Sequence, residues 1–198
     1  MPIKIEKRDD GRVRLCGYVC AVGRDSRLLP PTKTDNREKK FYEVVEPGAF
    51  TTALNKNKNV ILKLNHKDII TTQSENSTFL LTEDNIGLYV DVETDNPQIY
   101  DNVDKLQGWS FGFNNAVDKW TVADDGNDRR ILQGFDLVEI SALTTTPAYI
   151  GTSIEVRDYD LAEVEEVKND EDASSTIQCT DRYNYYEKKA QYLKLCRY

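Results

Sequence analysis

The sequence predicts a mainly β fold with a few helices, and three observations carry that prediction. Several stretches alternate apolar and polar residues with a two-residue period, Val, Ile, Leu, Thr and aromatics recur in runs of strand length, and before residue 158 only two short segments carry helix signals. At 198 residues the chain can bury one full core, which favours one domain plus appendages over two large domains.

The first strand signal spans 11–22, with Val13, Leu15 and Gly17 on one side and Cys16, Tyr18 and Cys20 on the other. Further signals follow at 41–45, 60–66, 78–82, 87–92, 109–114, 117–122, 130–135 and 137–143. One helix follows Pro47-Gly48 and runs from Ala49 to Leu54. A second spans about Gln98 to Leu106, with Asn96 as cap and Pro97 at the first helical position. From Asp158 to Asp172 there are eight acidic residues and one lysine, too polar to bury a core. The expected organisation is a compact domain over 1–157, an acidic flexible linker over 158–180 and a C-terminal appendage over 181–198. The appendage is rich in Tyr, Lys and Leu, and is a candidate helix that docks on a partner.

Composition excludes some functions. A net charge of -8 leaves no basic face for phosphate neutralisation, so nucleic acid is not an expected partner. No apolar run approaches the roughly 18 residues of a membrane span, and no membrane role is expected. Cys16, Cys20, Cys179 and Cys196 lack the paired spacing of a metal site and are expected as reduced thiols. No metal or other cofactor is anticipated.

Chemistry concentrates in three segments. Hydrolysis near neutral pH needs a group that takes up and returns a proton, and histidine, with an ordinary pKa of about 6.5, is the usual choice. His66 is the only histidine, and it ends Val60-Ile61-Leu62-Lys63-Leu64-Asn65 in phase with Val60, Leu62 and Leu64. The plain alternative is a histidine that merely finishes a strand. In Gly108-Trp109-Ser110-Phe111-Gly112-Phe113, three aromatics fall on the face opposite Ser110, leaving Ser110, Gly112 and Asn114 on a small, open face that a peptide could approach. Most strand serines simply face solvent. In Leu137-Val138-Glu139-Ile140-Ser141-Ala142, the apolar Val138, Ile140 and Ala142 oppose Glu139 and Ser141. A buried Glu139 needs a partner, and pairing with His66 would fix the imidazole tautomer.

In this order and at these spacings, the segments resemble the prohead proteases of tailed phages, the HK97-type family. The pieces are Glu46-Pro47-Gly48-Ala49-Phe50, Leu64-Asn65-His66, Glu83-Asp84-Asn85-Ile86-Gly87-Leu88, Trp109 to Phe113, Leu137 to Ser141 and Pro147-Ala148-Tyr149, and the match covers Gly17 to Arg157. The resemblance implies a bent antiparallel β-barrel like that of the herpesvirus assembly proteases. It implies a serine endopeptidase with catalytic His66 and Ser110 and with Glu139 as third member. It further implies the major capsid protein, or its scaffold segment, as substrate, self-cleavage, and action inside the assembling prohead in the cytoplasm of a bacterial host. Analogy with the related viral enzymes allows a homodimer. Two features depart from the family pattern: His66 is followed by Lys67-Asp68 without a glycine turn, and Trp109 is larger than the residue usual before the serine. Two rivals remain. One is a catalytically silent capsid-assembly or scaffold-binding module of the same fold. The other is a metal-dependent hydrolase, which one histidine serves poorly.

Overall fold

The computed structural model describes residues 2–8, 10–31, 38–150 and 153–156. These belong to one compact unit, Met1–Arg157. The acidic linker over 158–180 and the appendage over 181–198 lie outside the described residues, as do Cys179 and Cys196.

The elements are β1 (Pro2–Lys7), β2 (Val13–Ala21), β3 (Phe41–Val45), α1 (Ala49–Lys56), β4 (Ile61–Leu64), β5 (Asp68–Thr72), β6 (Leu80–Glu83), β7 (Gly87–Thr94), α2 (Pro97–Asn102), β8 (Gly108–Val122), β9 (Asp128–Leu143) and β10 (Ser153–Val156). One sheet has the order β10-β1-β2-β7-β6. The other is built on β9, which pairs with β3, β4 and β8, while β5 extends it beyond β4. Val13, Leu15, Val19, Leu88 and Val90 from the first sheet share one core with Leu62, Trp109, Leu137 and Ile140 from the second. Each large side chain buried there contributes about 1.5–3 kcal/mol.

The mainly β prediction holds, but no closed barrel forms among the described residues. The first sheet ends on β10 and β6, and the second on β3, β5 and β8. Three of the pairings are parallel, β1 with β10, β3 with β9 and β4 with β9, so the ladder is not uniformly antiparallel. The cause lies in β9. Because β8 pairs along its full length, β3 and β4 must share its other edge in succession, at 128–132 and 139–142. The end of α1 bridges the interval, where the Asn57 side chain donates to the Leu137 carbonyl at 2.8 Å.

Strand signals read separately at 109–114 and 117–122 are one strand, and so are those at 130–135 and 137–143. Register shifts after Gly112 and Asn114 break the alternation without ending the ladder. The strand pattern had not marked β1, β5 or β10. Both helices form where expected, and Asn96 caps α2 by accepting the Gln98 amide at 2.9 Å. Cys20 is a buried free thiol, as expected for it.

Candidate active site

The middle of the second sheet sets three strands side by side. In register, Lys63 of β4 and Ser110 of β8 both stand opposite Ser141 of β9, while Ile61 and Gly112 both stand opposite Glu139. Residues abreast in register point to the same side, so Lys63, Ser141, Ser110, Glu139 and Gly112 share one face. The other face carries Leu62, Leu64, Trp109, Phe111, Ile140 and Ala142, all buried. The aromatic backing expected for Ser110 is thus present, and Phe50 of α1 packs edge-on against Phe111 at 5.0 Å. Trp109 fills the core rather than a pocket beside Ser110, so its size does not reshape the serine face.

His66 reaches this face by a turn, not by strand phase. The strand stops at Leu64, and Asn65 and His66 adopt left-handed backbone conformations with φ of 52° and 60°. Such conformations cost non-glycine residues free energy and need fixing by their surroundings. Here the Asn65 amide donates to the Ala142 carbonyl at 2.9 Å, and Asn65 Oδ1 accepts from the Thr144 amide at 2.9 Å. The His66 amide donates to Ser141 Oγ at 2.7 Å. In-phase placement with Leu64 would have buried the ring under the sheet. The turn instead swings it to the polar side, with 44% of its side chain exposed.

There His66 Nδ1 lies 2.7 Å from Glu139 Oε1. A carboxylate only accepts, so Nδ1 carries the proton and Nε2 of the neutral ring keeps a free lone pair. The second carboxylate oxygen, Oε2, is held by the Lys63 ammonium. Burial pushes the Glu139 carboxyl up, but the hydrogen bonds and charges of Lys63 and His66 outweigh it and hold the group below its ordinary value of 4.5. Glu139 is therefore ionised across the neutral range.

Gly112 is what lets that carboxylate lie flat on the sheet. A Cβ on Gly112 would sit 2.7 Å from Glu139 Cγ and 3.2 Å from Oε1. The sequence marks Gly112 as part of an open floor for substrate; in the structure the floor at that point is the Glu139 side chain. Ser110 is half-buried on the same face, and no side-chain hydrogen bond engages its hydroxyl among the described residues. The sequence reading did not assign roles to Lys63, Asn65 or Ser141. A lysine between Leu62 and Leu64 was the available signal, since alternation puts it on the same side as a polar face.

The remaining motif pieces build the scaffold. Glu83 accepts from the amides of Gly48 and Thr51 at 2.8 and 2.6 Å, tying the start of α1 to β6. Asp84 turns the chain by accepting the Ile86 amide at 2.9 Å, and a Cβ on Gly87 would collide with the Cys20 carbonyl at 1.9 Å. Arg129 and Arg130 sit at the far end of β9, engaged with Asp25, Glu43 and Asp118. Among the described residues no cluster of three or more His, Cys, Asp or Glu could hold a metal ion, and no helix is long and apolar enough to cross a membrane.

A carboxylate-held imidazole and an unengaged serine hydroxyl on one sheet face are the parts that a serine hydrolase requires. Residues 1–167 match the family model of the caudovirus prohead serine protease, and the chain belongs to that family. Membership makes it a serine peptidase of phage capsid maturation. No curated protein and no solved structure matches the chain.

Proposed function

We propose that this peptidase cleaves the scaffold segment of the major capsid protein inside the immature shell and then cleaves itself, with Ser110 as nucleophile, His66 as general base and Glu139 orienting the ring. Neutral His66 takes the Ser110 proton at Nε2 as Oγ attacks the scissile carbonyl. The imidazolium returns that proton to the departing amine, leaving an acyl-enzyme. Water, deprotonated by the same ring, then releases the acid product and restores Ser110. Glu139 stabilises the imidazolium at each stage and keeps Nε2 the free nitrogen.

The observation that carries this reading is the His66–Glu139 couple on the face that Ser110 shares, in a chain of the prohead protease family. Ser110 and His66 both flank Ser141, Ser110 as its partner across one strand spacing of about 4.8 Å, and His66 through its backbone bond to the Ser141 hydroxyl. Catalytic contacts commonly tighten only when substrate is bound.

Co-expression with the major capsid protein of the same phage tests the reading. The capsid protein should shorten with the wild-type chain and stay full length with Ser110→Ala, whose turnover should fall by roughly 10⁴-fold. Intact mass should likewise drop with time for the wild type and not for Ser110→Ala. Shortening that persists in Ser110→Ala would leave the chain a binding module with its nucleophile elsewhere.

A further inference from the structure

The charge beside the His66–Glu139 couple has no place in the mechanism above. Lys63 is a basic residue inside an otherwise apolar strand, Ile61–Leu64, and its register opposite Ser141 sends its side chain onto the site face. Its ammonium is bound to Glu139 Oε2, and the pair is largely shielded, with 21% of the Lys63 side chain and 11% of the Glu139 side chain exposed. Exposed ion pairs contribute little, but here the pair fixes which carboxylate oxygen is left for the ring.

We infer that Lys63 is a positioning residue for this site, resting on the reading of His66 as general base: by occupying Glu139 Oε2 it holds Oε1 on His66 Nδ1 and so sets the ring's tautomer and aim.

The argument is one of degrees of freedom. Glu139 has one neighbour too close for a larger group, Gly112, which leaves the carboxylate room on that side. Nothing on the Gly112 side holds the carboxylate by a hydrogen bond among the described residues, so its rotation about the last bond is limited by its two polar partners, Lys63 and His66. Removing Lys63 leaves Oε2 unheld, so the carboxylate can turn away from the ring and leave Nδ1 without its acceptor. The backbone of His66 would remain fixed, because Asn65, Ala142, Thr144 and Ser141 hold it independently. The predicted defect therefore lies in the ring, not in the loop. A misaimed base lowers the rate of proton transfer while leaving peptide binding alone, so kcat should fall and KM should not move.

The chain's single histidine makes the ring directly observable. In untagged protein labelled with ¹⁵N-histidine, in the Ser110→Ala background and at mildly alkaline pH, the spectrum should show the Nδ1–H tautomer predominating. Lys63→Met should convert it to a mixture in which the Nε2–H form, favoured by free imidazole, is prominent. In the active chain Lys63→Met should lower kcat by about 10-fold or more with KM within twofold, and Lys63→Arg, which retains the cation, should restore most of the rate. If Lys63→Met does not fold by circular dichroism, Lys63→Gln serves the same measurements. An unchanged tautomer and unchanged kcat would overturn the role of Lys63 while leaving Ser110→Ala inactive and the proposed function standing. Activity surviving in Ser110→Ala would instead remove the function, and the spectrum would still report whether Lys63 sets the ring.

Discussion

Two buried carboxylates, one beside the start of β9 and one near its other end, meet opposite fates. Glu43 on β3 lies beside the start of β9, where its oxygens accept from the Tyr149 hydroxyl at 2.7 Å and from Arg130 at 3.3 Å. Glu139 lies near the other end of β9 with Lys63 and His66. Their side chains are almost equally covered, 10% and 11% exposed. Yet Glu43 is pushed above its ordinary value of 4.5, with burial the largest cause, and Glu139 is held below it. Burial is the largest cause at both: it prevails at Glu43, which lies deeper in the protein, whereas at Glu139 the hydrogen bonds and charges of Lys63 and His66 outweigh it. Tyr149 is a neutral donor, and Arg130 gives its shorter contact, 2.5 Å, to Asp118. At Glu139 the ammonium has no other acceptor among the described residues. Glu43 is held between Tyr149 and Arg130, whereas the Glu139 network ends in a ring that faces solvent, the arrangement the proposed proton transfer needs.

The sharpest way to break this comparison is to neutralise each carboxylate in turn. Glu139→Gln places an amide against His66 Nδ1 and favours the wrong tautomer, so kcat should fall by about 10² to 10⁴-fold. Glu43→Gln keeps an acceptor for Tyr149 and should leave kcat within about threefold. Equal losses in the two variants, measured on a capsid-derived peptide, would mean that Glu139 acts through the fold and not through His66.

A smaller effect is expected where a glycine makes room for the carboxylate. Gly112→Ala would put a methyl 2.7 Å from Glu139 Cγ and force the side chain to shift, whereas Gly134→Ala, on β9, meets nothing nearer than Val117 Cβ at 3.9 Å. Displacing the group behind a base by a fraction of an ångström to an ångström should lower kcat by roughly 10 to 10²-fold. Gly134→Ala should be near wild type. A silent Gly112→Ala would show that the carboxylate tolerates movement.

Legibility in the sequence followed the range of the interactions. Period-two alternation and the Asn96-Pro97 signature are local, so β2, β3, β7 and the start of α2 lie close to their expected limits, while α2 ends at Asn102 and a 3-10 turn over Val103–Lys105 follows where one helix to Leu106 was expected. Alternation around Ser110 and Glu139 also assigned the correct faces, since each lies inside a strand with paired neighbours on both sides. It failed at His66, where two left-handed residues reverse the facing and where the bonds that pay for the turn come from Ser141 and Thr144, more than seventy residues away. The barrel expectation failed for a related reason. Which edge of β9 receives β3 and β4 is a matter of long-range pairing, which no local pattern encodes. Lys63 was readable as an oddity in an apolar strand, but its partner became visible only when β4 and β9 stood side by side.

The smallest effects should separate the two carboxylates by sign. Glu139 ionises more readily in the folded chain than in the unfolded one, so its contribution to stability is complete above about pH 4.5 and is lost as pH falls through its lowered folded value. Glu43 is raised, so its charged form opposes folding; that penalty is absent below about pH 4.5 and develops as pH rises through its folded value. The Tm of Glu139→Gln relative to wild type should therefore become more negative as pH rises from acid to neutral, while that of Glu43→Gln should become more positive. For a chain of this size each kcal/mol corresponds to roughly 2–4 °C, within reach of scanning calorimetry. Slopes of the same sign would place both carboxylates under one electrostatic regime, and the contrast between them would have to rest on the exposure of His66 alone.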